Sequence, residues 1–98
     1  MMRFDLPMAG GGVKSIKKER TVEIMMDGEV IYSACPKIIG TMHECLPLWK
    51  NRLAGIKRGM PASEFSMTVQ DLWQDEQGLV HHQLLDVESG QLQIDDVD

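Results

Sequence analysis

The chain has 98 residues, of which 43% are hydrophobic and 26% are charged, and its formal net charge is −5. This length fits one domain, and the hydrophobic fraction argues against wholesale disorder. With no run of about 18 apolar residues and no apolar signal-peptide core, we expect neither a transmembrane helix nor secretion. Two cysteines are too few for a disulfide framework, so we expect a reducing, cytoplasmic location.

Charge is divided unevenly along the chain. All ten Lys and Arg residues lie in residues 1–58, and six acidic residues there leave that segment at +4. Residues 59–98 hold nine acidic residues and neither Lys nor Arg. This asymmetry indicates an interaction surface, or two halves that fold against each other and partly neutralise.

The first 19 residues have no sustained periodicity. Pro7 and the run Gly10-Gly11-Gly12 oppose both helix and strand interiors. We therefore predict an N-terminal arm over residues 1–19 that is flexible or loosely docked, a single domain over residues 20–94, and an acidic tail over residues 95–98.

A β-hairpin is predicted over residues 21–33. TVEIMM and EVIYS flank Asp27-Gly28, a pair that suits a two-residue type I′ turn because both central positions need positive φ. The predicted register places Ile24 opposite Ile31 and Val22 opposite Ser33.

A helix is predicted next, with Pro36 at its first position and Gly59 with Pro61 at its end. Its apolar stripe comprises Ile38, Met42, Cys45, Leu46, Trp49, Leu53 and Ile56. Pro47 removes one backbone hydrogen bond, but the stripe stays in phase across it. This phase predicts one kinked helix rather than two helices.

The last third predicts a three-stranded meander: EFSMTVQDLW, LVHHQLLDV and QLQI are separated by the turns DEQG and ESG. The complete order is ββαβββ. The predicted class is therefore α+β, with a small antiparallel sheet and one Pro-kinked helix packed on a face.

Several residues invite a search for catalytic chemistry. The stretch GGGVKS lacks the last glycine of a phosphate-binding loop and precedes a strand instead of a helix. Cys35, beside Pro36 at the predicted helix N-terminus, is the one plausible nucleophile. We favour the simpler interpretation that it is a small apolar residue filling the strand–helix junction. The neighbours His81 and His82 point to opposite faces of a strand, so they would not bind one metal together. We predict no enzyme, cofactor or metal.

The function favoured by the sequence is protein binding through an acidic C-terminal surface that mimics nucleic acid and blocks a partner with a basic surface, such as a nucleic-acid-binding protein. Its candidate residues are Glu64, Asp71, Trp73, Asp75, Glu76, Asp86, Glu88, Asp95 and Asp96. In size, acidity and methionine content the chain is similar to many accessory proteins of phages and mobile elements, including inhibitors that act by binding. This resemblance covers no motif and carries over no residue.

Two alternatives stay open. The first is weak nucleic-acid binding by a basic arm and helix face. It would use Lys14, Lys17, Lys18, Arg20, Lys50, Arg52, Lys57 and Arg58. The second is a homo-oligomer in which the positive helix of one copy meets the negative meander of another, or in which an exposed strand edge extends the sheet.

Overall fold

The computed structural model describes residues 16–97, with side chains described for residues 18–95. Its elements are β1 (Ile16–Met26), β2 (Glu29–Ala34), α1 (Met42–Gly59), β3 (Phe65–Gln74), β4 (Val80–Asp86) and β5 (Gln91–Val97). The strands form one antiparallel sheet in the order β2-β1-β3-β4-β5, so β2 and β5 are its edges within residues 16–97. The predicted α+β class and ββαβββ order are confirmed.

The sheet extends beyond the predicted domain boundaries at both ends. Ile16 pairs with Gln74, so β1 begins inside the predicted arm. Val97 pairs with Val80, so β5 includes most of the predicted acidic tail. Pairing with a neighbouring strand sets the start of β1 and the end of β5. The periodicity of a single segment does not reveal such pairing. Residues 1–15 of the predicted arm lie outside the described residues.

The hairpin turn forms as predicted, but its register differs. Asp27 and Gly28 have φ values of 51° and 88°, as a type I′ turn requires. Beyond the turn, Ile24 pairs with Tyr32 and not with the predicted Ile31, and Val22 pairs with Ala34 and not with Ser33. A β-bulge in β2 inserts one extra residue and shifts every later pair.

The helix begins six residues later than predicted, at Met42 instead of Pro36. Thr41 and Glu44 form a capping box: the Glu44 backbone N–H donates to Thr41 Oγ1 at 3.1 Å, and the Thr41 N–H donates to Glu44 Oε1 at 2.8 Å. The bond from the Thr41 backbone lowers the pKa of Glu44. Residues 35–41 therefore form a non-helical link, which excludes Ile38 from the helical stripe.

The remaining stripe forms the core as predicted. Met42, Cys45, Trp49 and Leu53 are buried on one side of α1 and belong to a single hydrophobic cluster with β1, β3 and β4. Pro47 lies inside one continuous helix, and the helix ends at the predicted Gly59. The sheet contributes Val22, Ile24, Phe65, Met67, Val69 and Leu85 to the cluster.

Within residues 16–97, we find no helix that combines the length and the apolar character needed to cross a membrane.

Candidate functional site

A groove of about 540 Å³ opens between α1 and the edge strand β2. This volume lies in the range of about 300–1,000 Å³ that is typical of binding sites. Trp49 and Met67 contribute to its buried floor. We call this feature the α1–β2 groove; its exposed or half-buried apolar lining includes Tyr32, Ile39, Leu48 and Ile56.

The exposure of these apolar side chains follows from the topology. The sheet ends at β2 within the described residues, so no further strand flanks the groove. Leu48 lies about 100° around the helix from Trp49, which places it beside the stripe that packs on the sheet. Ile39 belongs to the non-helical link and is 77% exposed, the highest value among the exposed large hydrophobic residues within residues 18–95.

The charges that line the groove are cationic. Lys37 and Arg52 are both exposed, and neither forms an ion pair within residues 18–95. No carboxylate is among the described residues of the lining. The groove therefore combines apolar walls with two available positive charges.

A buried ion pair supports the groove from below. Arg20 Nε donates to Asp71 Oδ1 at 2.8 Å and Arg20 Nη2 donates to Asp71 Oδ2 at 2.9 Å, and both residues are at most 2% exposed. The hydrogen bond with Asp71 raises the pKa of Arg20. Such a bidentate pair satisfies both charged groups in a region that excludes water.

The same arginine connects three elements. Its Nη1 donates to the Gly40 carbonyl oxygen at 2.9 Å, which fixes the link before the helix to the sheet. Its guanidinium carbon lies 5.3 Å from the ring centroid of Trp49, within cation–π distance. Arg20 thereby holds both the floor and the start of one wall of the groove.

This burial corrects two sequence predictions. Asp71 was expected on an acidic binding surface and Arg20 on a basic one, but the β1–β3 register places them directly opposite each other beneath the helix. Their separation by 51 residues hides the pairing from local patterns. Neither side chain is available to a partner.

The other predicted acidic residues form two separate groups and not one surface. Asp86 and Glu88 lie at the β4–β5 turn, where Glu88 is paired with Lys57 of the helix. Glu64 lies near this end, directly before β3. At the opposite end of the strands, Asp75 and Glu76 occupy the β3–β4 turn.

The second group also includes the predicted β5 residues. Asp95 pairs in register with His82, and Asp96 pairs with His81. His81 Nε2 lies 2.9 Å from Asp75 Oδ2, and this hydrogen bond lowers the pKa of Asp75. Asp75, Glu76 and Asp95 therefore remain the acidic candidates that are separate from the ion-paired helix end.

Trp73, predicted as an interface residue, is half-buried in a stack at this second end. Its ring stacks on His81 with 5.0 Å between centroids, and Lys18 Nζ lies 4.4 Å from its centroid. Lys18 Nζ also lies 3.6 Å from Asp71 Oδ2, so this partly exposed ammonium group forms a second ion pair with the buried carboxylate. The role of Trp73 in binding stays a prediction.

The predicted basic residues do not share one face. Lys57 is paired with Glu88, and the Lys50 ammonium lies close to Gly90 of the β4–β5 turn. Arg52 lines the groove instead, and the exposed Arg58 guanidinium lies close to Gly55 of the groove lining. Lys14 lies outside the described residues, as does the side chain of Lys17.

The arrangement offers little catalytic chemistry in the part of the chain that the structure describes. Cys35 is exposed, 3.7 Å from Thr21 Oγ1, but it lies seven residues before the helix and not at its N-terminus, contrary to our expectation. Among the described residues, no group of three or more His, Cys, Asp or Glu side chains could hold a metal ion.

The groove was not predicted from the sequence, although Arg20 and Arg52 of its lining were among the predicted basic residues. Tyr32, Lys37, Ile39 and Leu48 were not among the predicted site residues. The sequence did contain one signal for the groove: Ile39 and Leu48 lie outside the predicted helical stripe. An apolar residue outside the stripe is not accounted for by packing of the helix on the core. A single one is ordinary on a protein surface, whereas a cluster indicates a contact site.

Comparisons with known proteins give no relative: no protein-family model matches the chain, and no curated protein or solved structure matches it.

Proposed function

We propose that this protein is a non-enzymatic protein-binding module and that the α1–β2 groove is its docking surface. The observation that carries the proposal is the cluster of exposed apolar side chains, Tyr32, Ile39 and Leu48, beside an edge strand. Clustered apolar exposure of this kind marks interaction sites, whereas isolated apolar residues on a surface do not.

The groove has the two features by which proteins bind segments of other proteins. Its apolar walls can accept anchoring side chains, which supply most of the energy at interfaces. Beside it, residues Tyr32 to Ala34 of β2 pair regularly with β1 on one side, and their outer side is an edge of the sheet. An extended segment can add to such an edge through main-chain hydrogen bonds.

The acidic residues support a second contact within this proposal. Asp75 and Glu76 occupy the β3–β4 turn, and Asp95 lies toward the same end of the sheet, away from Lys57. At this end they would face a basic partner such as a nucleic-acid-binding protein. On this basis, and on its size and composition, we place the protein among cytoplasmic inhibitors or accessory proteins. Nucleic-acid binding is the less favoured alternative, because Arg20 and Lys57 are already paired with carboxylates.

Two matched substitutions test the docking surface. Leu48 and Leu72 are exposed to nearly the same extent, 44% and 46%. Leu48 lines the groove, and Leu72 lies on the opposite face of the sheet because it follows the buried Asp71 in a strand. We expect Leu48→Asp to weaken capture of a partner from lysate at least about tenfold, the effect of losing one hot-spot side chain, and Leu72→Asp to leave it unchanged.

The measurement is quantitative affinity purification at low salt, with equal thermal unfolding of both variants as the control for folding. Loss of the partner from the Leu72→Asp variant alone would place binding on the other face of the sheet and contradict the proposal. A shift of nucleic acid at low salt by the wild type, without protein capture, would favour the alternative function.

A further inference from the structure

We infer that the α1–β2 groove binds an extended segment of another protein that carries an acidic side chain between two apolar ones, in the order apolar–any–acidic–any–apolar. This inference rests on the proposed function and specifies the chemistry of the partner. It follows from the spacing of the side chains along the two walls of the groove and from the charges that the walls carry.

The helix wall of the groove contains an apolar–cationic–apolar row. Leu48, Arg52 and Ile56 line the groove and lie four residues apart along α1, so they form one ridge on the helix surface. With a rise of about 1.5 Å per residue, neighbouring members are about 6 Å apart along the helix axis. Leu48 and Arg52 are exposed and Ile56 is half-buried, so an occupant can contact all three. We call these three residues the helix row.

The strand wall of the groove has nearly the same repeat. Tyr32 pairs with the buried Ile24 of β1 and therefore lies on the helix side of the sheet. Ala34, two residues further along β2, lies on the same side, and both residues line the groove. Alternate residues of a strand are about 6.6 Å apart. Every second side chain of a strand laid along β2 would therefore meet a successive member of the helix row.

The open edge of β2 favours an extended occupant over a helical one. From Tyr32 to Ala34, β2 pairs with β1 on one side, and no strand among residues 16–97 covers its outer side. An added strand would form hydrogen bonds with the main-chain groups on that side. A helix lying over the same groups would remove them from water without supplying partners, which is unfavourable.

Charge selects an acidic residue for the middle position of the segment. Arg52 is the middle member of the helix row, and Lys37 adds a second positive charge in the link that follows β2. Neither forms an ion pair within residues 18–95, and no carboxylate is among the described residues of the lining. An arginine side chain can bind a carboxylate through two parallel hydrogen bonds, so an Asp or Glu facing Arg52 is favoured over a neutral residue.

The two outer positions of the segment follow from the ends of the helix row. Apolar side chains there would contact Leu48 and Ile56, whose burial against a partner is favourable. The pattern is the same when it is read in either direction along the segment. It therefore applies to an added strand that runs parallel or antiparallel to β2.

Selection from a library of short random peptides tests the inference, with the full chain immobilised as wild type and as the Arg52→Glu variant. We expect the wild type to enrich peptides with Asp or Glu two residues from an apolar residue on each side. The Arg52→Glu variant should enrich Lys or Arg at that middle position, because its new carboxylate then faces the peptide. Enrichment of the same peptides by both proteins, or no enrichment by the wild type, would overturn the inference.

Lys50→Glu is the matched control for Arg52→Glu. It changes the charge of the same helix by the same amount, but the Lys50 ammonium lies close to Gly90 of the β4–β5 turn and outside the groove lining. In fluorescence anisotropy with one enriched peptide, we expect Arg52→Glu to weaken binding at least about tenfold and Lys50→Glu to leave it unchanged. Thermal unfolding establishes that both variants fold. Equal weakening by both would indicate a general charge effect and overturn the inference.

Failure of this inference can be told apart from failure of the docking proposal. If the enriched peptides lack the acidic residue but lose affinity for the Leu48→Asp variant, the groove binds a partner of different chemistry. If they carry the acidic residue but bind Leu48→Asp as tightly as the wild type, the groove is not the docking surface.

Sedimentation velocity of the wild type and of Leu48→Asp tests the other occupant, a second copy of this chain. We expect the groove to be free in the isolated protein, so the two should sediment alike. Self-association of the wild type that Leu48→Asp abolishes would assign the groove to a second copy and overturn the inference.

Discussion

Replacing Asp71 with Asn is expected to lower the free energy of unfolding by about 3–5 kcal/mol, because it leaves the buried Arg20 charge without its partner. Asn keeps the size of the side chain, so little of this loss would arise from a cavity. A domain of this class has a total stability of roughly 5–15 kcal/mol, so this loss is a large fraction of the whole. Urea denaturation followed by circular dichroism measures the change.

Two further variants establish the cause of that loss. Asp75→Asn, which alters a half-buried carboxylate hydrogen-bonded to His81, should be far less destabilising because solvent screens that pair. Replacing both partners of the buried pair with apolar residues, Arg20→Met with Asp71→Leu, should recover much of the stability. Equal effects of Asp71→Asn and Asp75→Asn would show that the Arg20–Asp71 pair is not desolvated as described.

Trp49→Ala is expected to cost a similar amount, about 3–5 kcal/mol, because it removes a large buried side chain and leaves a cavity under the helix. The same ring lies against the Arg20 guanidinium and lines the groove, so its loss should also weaken binding at the groove. Urea denaturation of the variant gives the first effect, and partner capture at a temperature where it remains folded gives the second.

Trp73→Ala is the matched control for this substitution. Trp73 is half-buried and stacks on His81 beside the β3–β4 turn, so its removal leaves a site open to solvent and not an enclosed cavity. We expect a clearly smaller loss of stability. If Trp73→Ala proved the more destabilising of the two, the helix–sheet contact around Trp49 would not be the main core of the protein.

The sequence was sufficient to predict the elements and their order because each depends on local signals. The Asp27-Gly28 turn, the apolar stripe from Met42 to Ile56 and the alternation in β3 each occupy a short segment. The predicted helix start at Pro36 was wrong because the capping box of Thr41 and Glu44, which the prediction did not include, begins the helix at Met42. The local pattern also gave no warning of the bulge in β2, because one extra residue on an exposed edge strand changes no core position.

The candidate site depends on pairing between distant segments, and for that reason it could not be predicted. Arg20 and Asp71 are each unremarkable as charged residues in alternating strands; only the β1–β3 register makes them partners. The groove likewise requires β2, the link through Ile39 and the helix to meet along one edge. The charge asymmetry of the sequence indicated that charged surfaces exist. It distinguished only whole segments, and it did not show which charged side chains in the described part of the chain lack an ion pair.

The measurement that tests the central claim most directly is site-specific photo-cross-linking in cells, with a benzophenone amino acid placed at position 48 or at position 72. The two positions are similarly exposed but lie on opposite sides of the sheet. We predict a discrete protein adduct from position 48, which disappears when Ile56 is replaced by Asp, and none from position 72. Adducts from position 72 alone, or equally from both positions, would contradict the assignment of the α1–β2 groove as the docking surface.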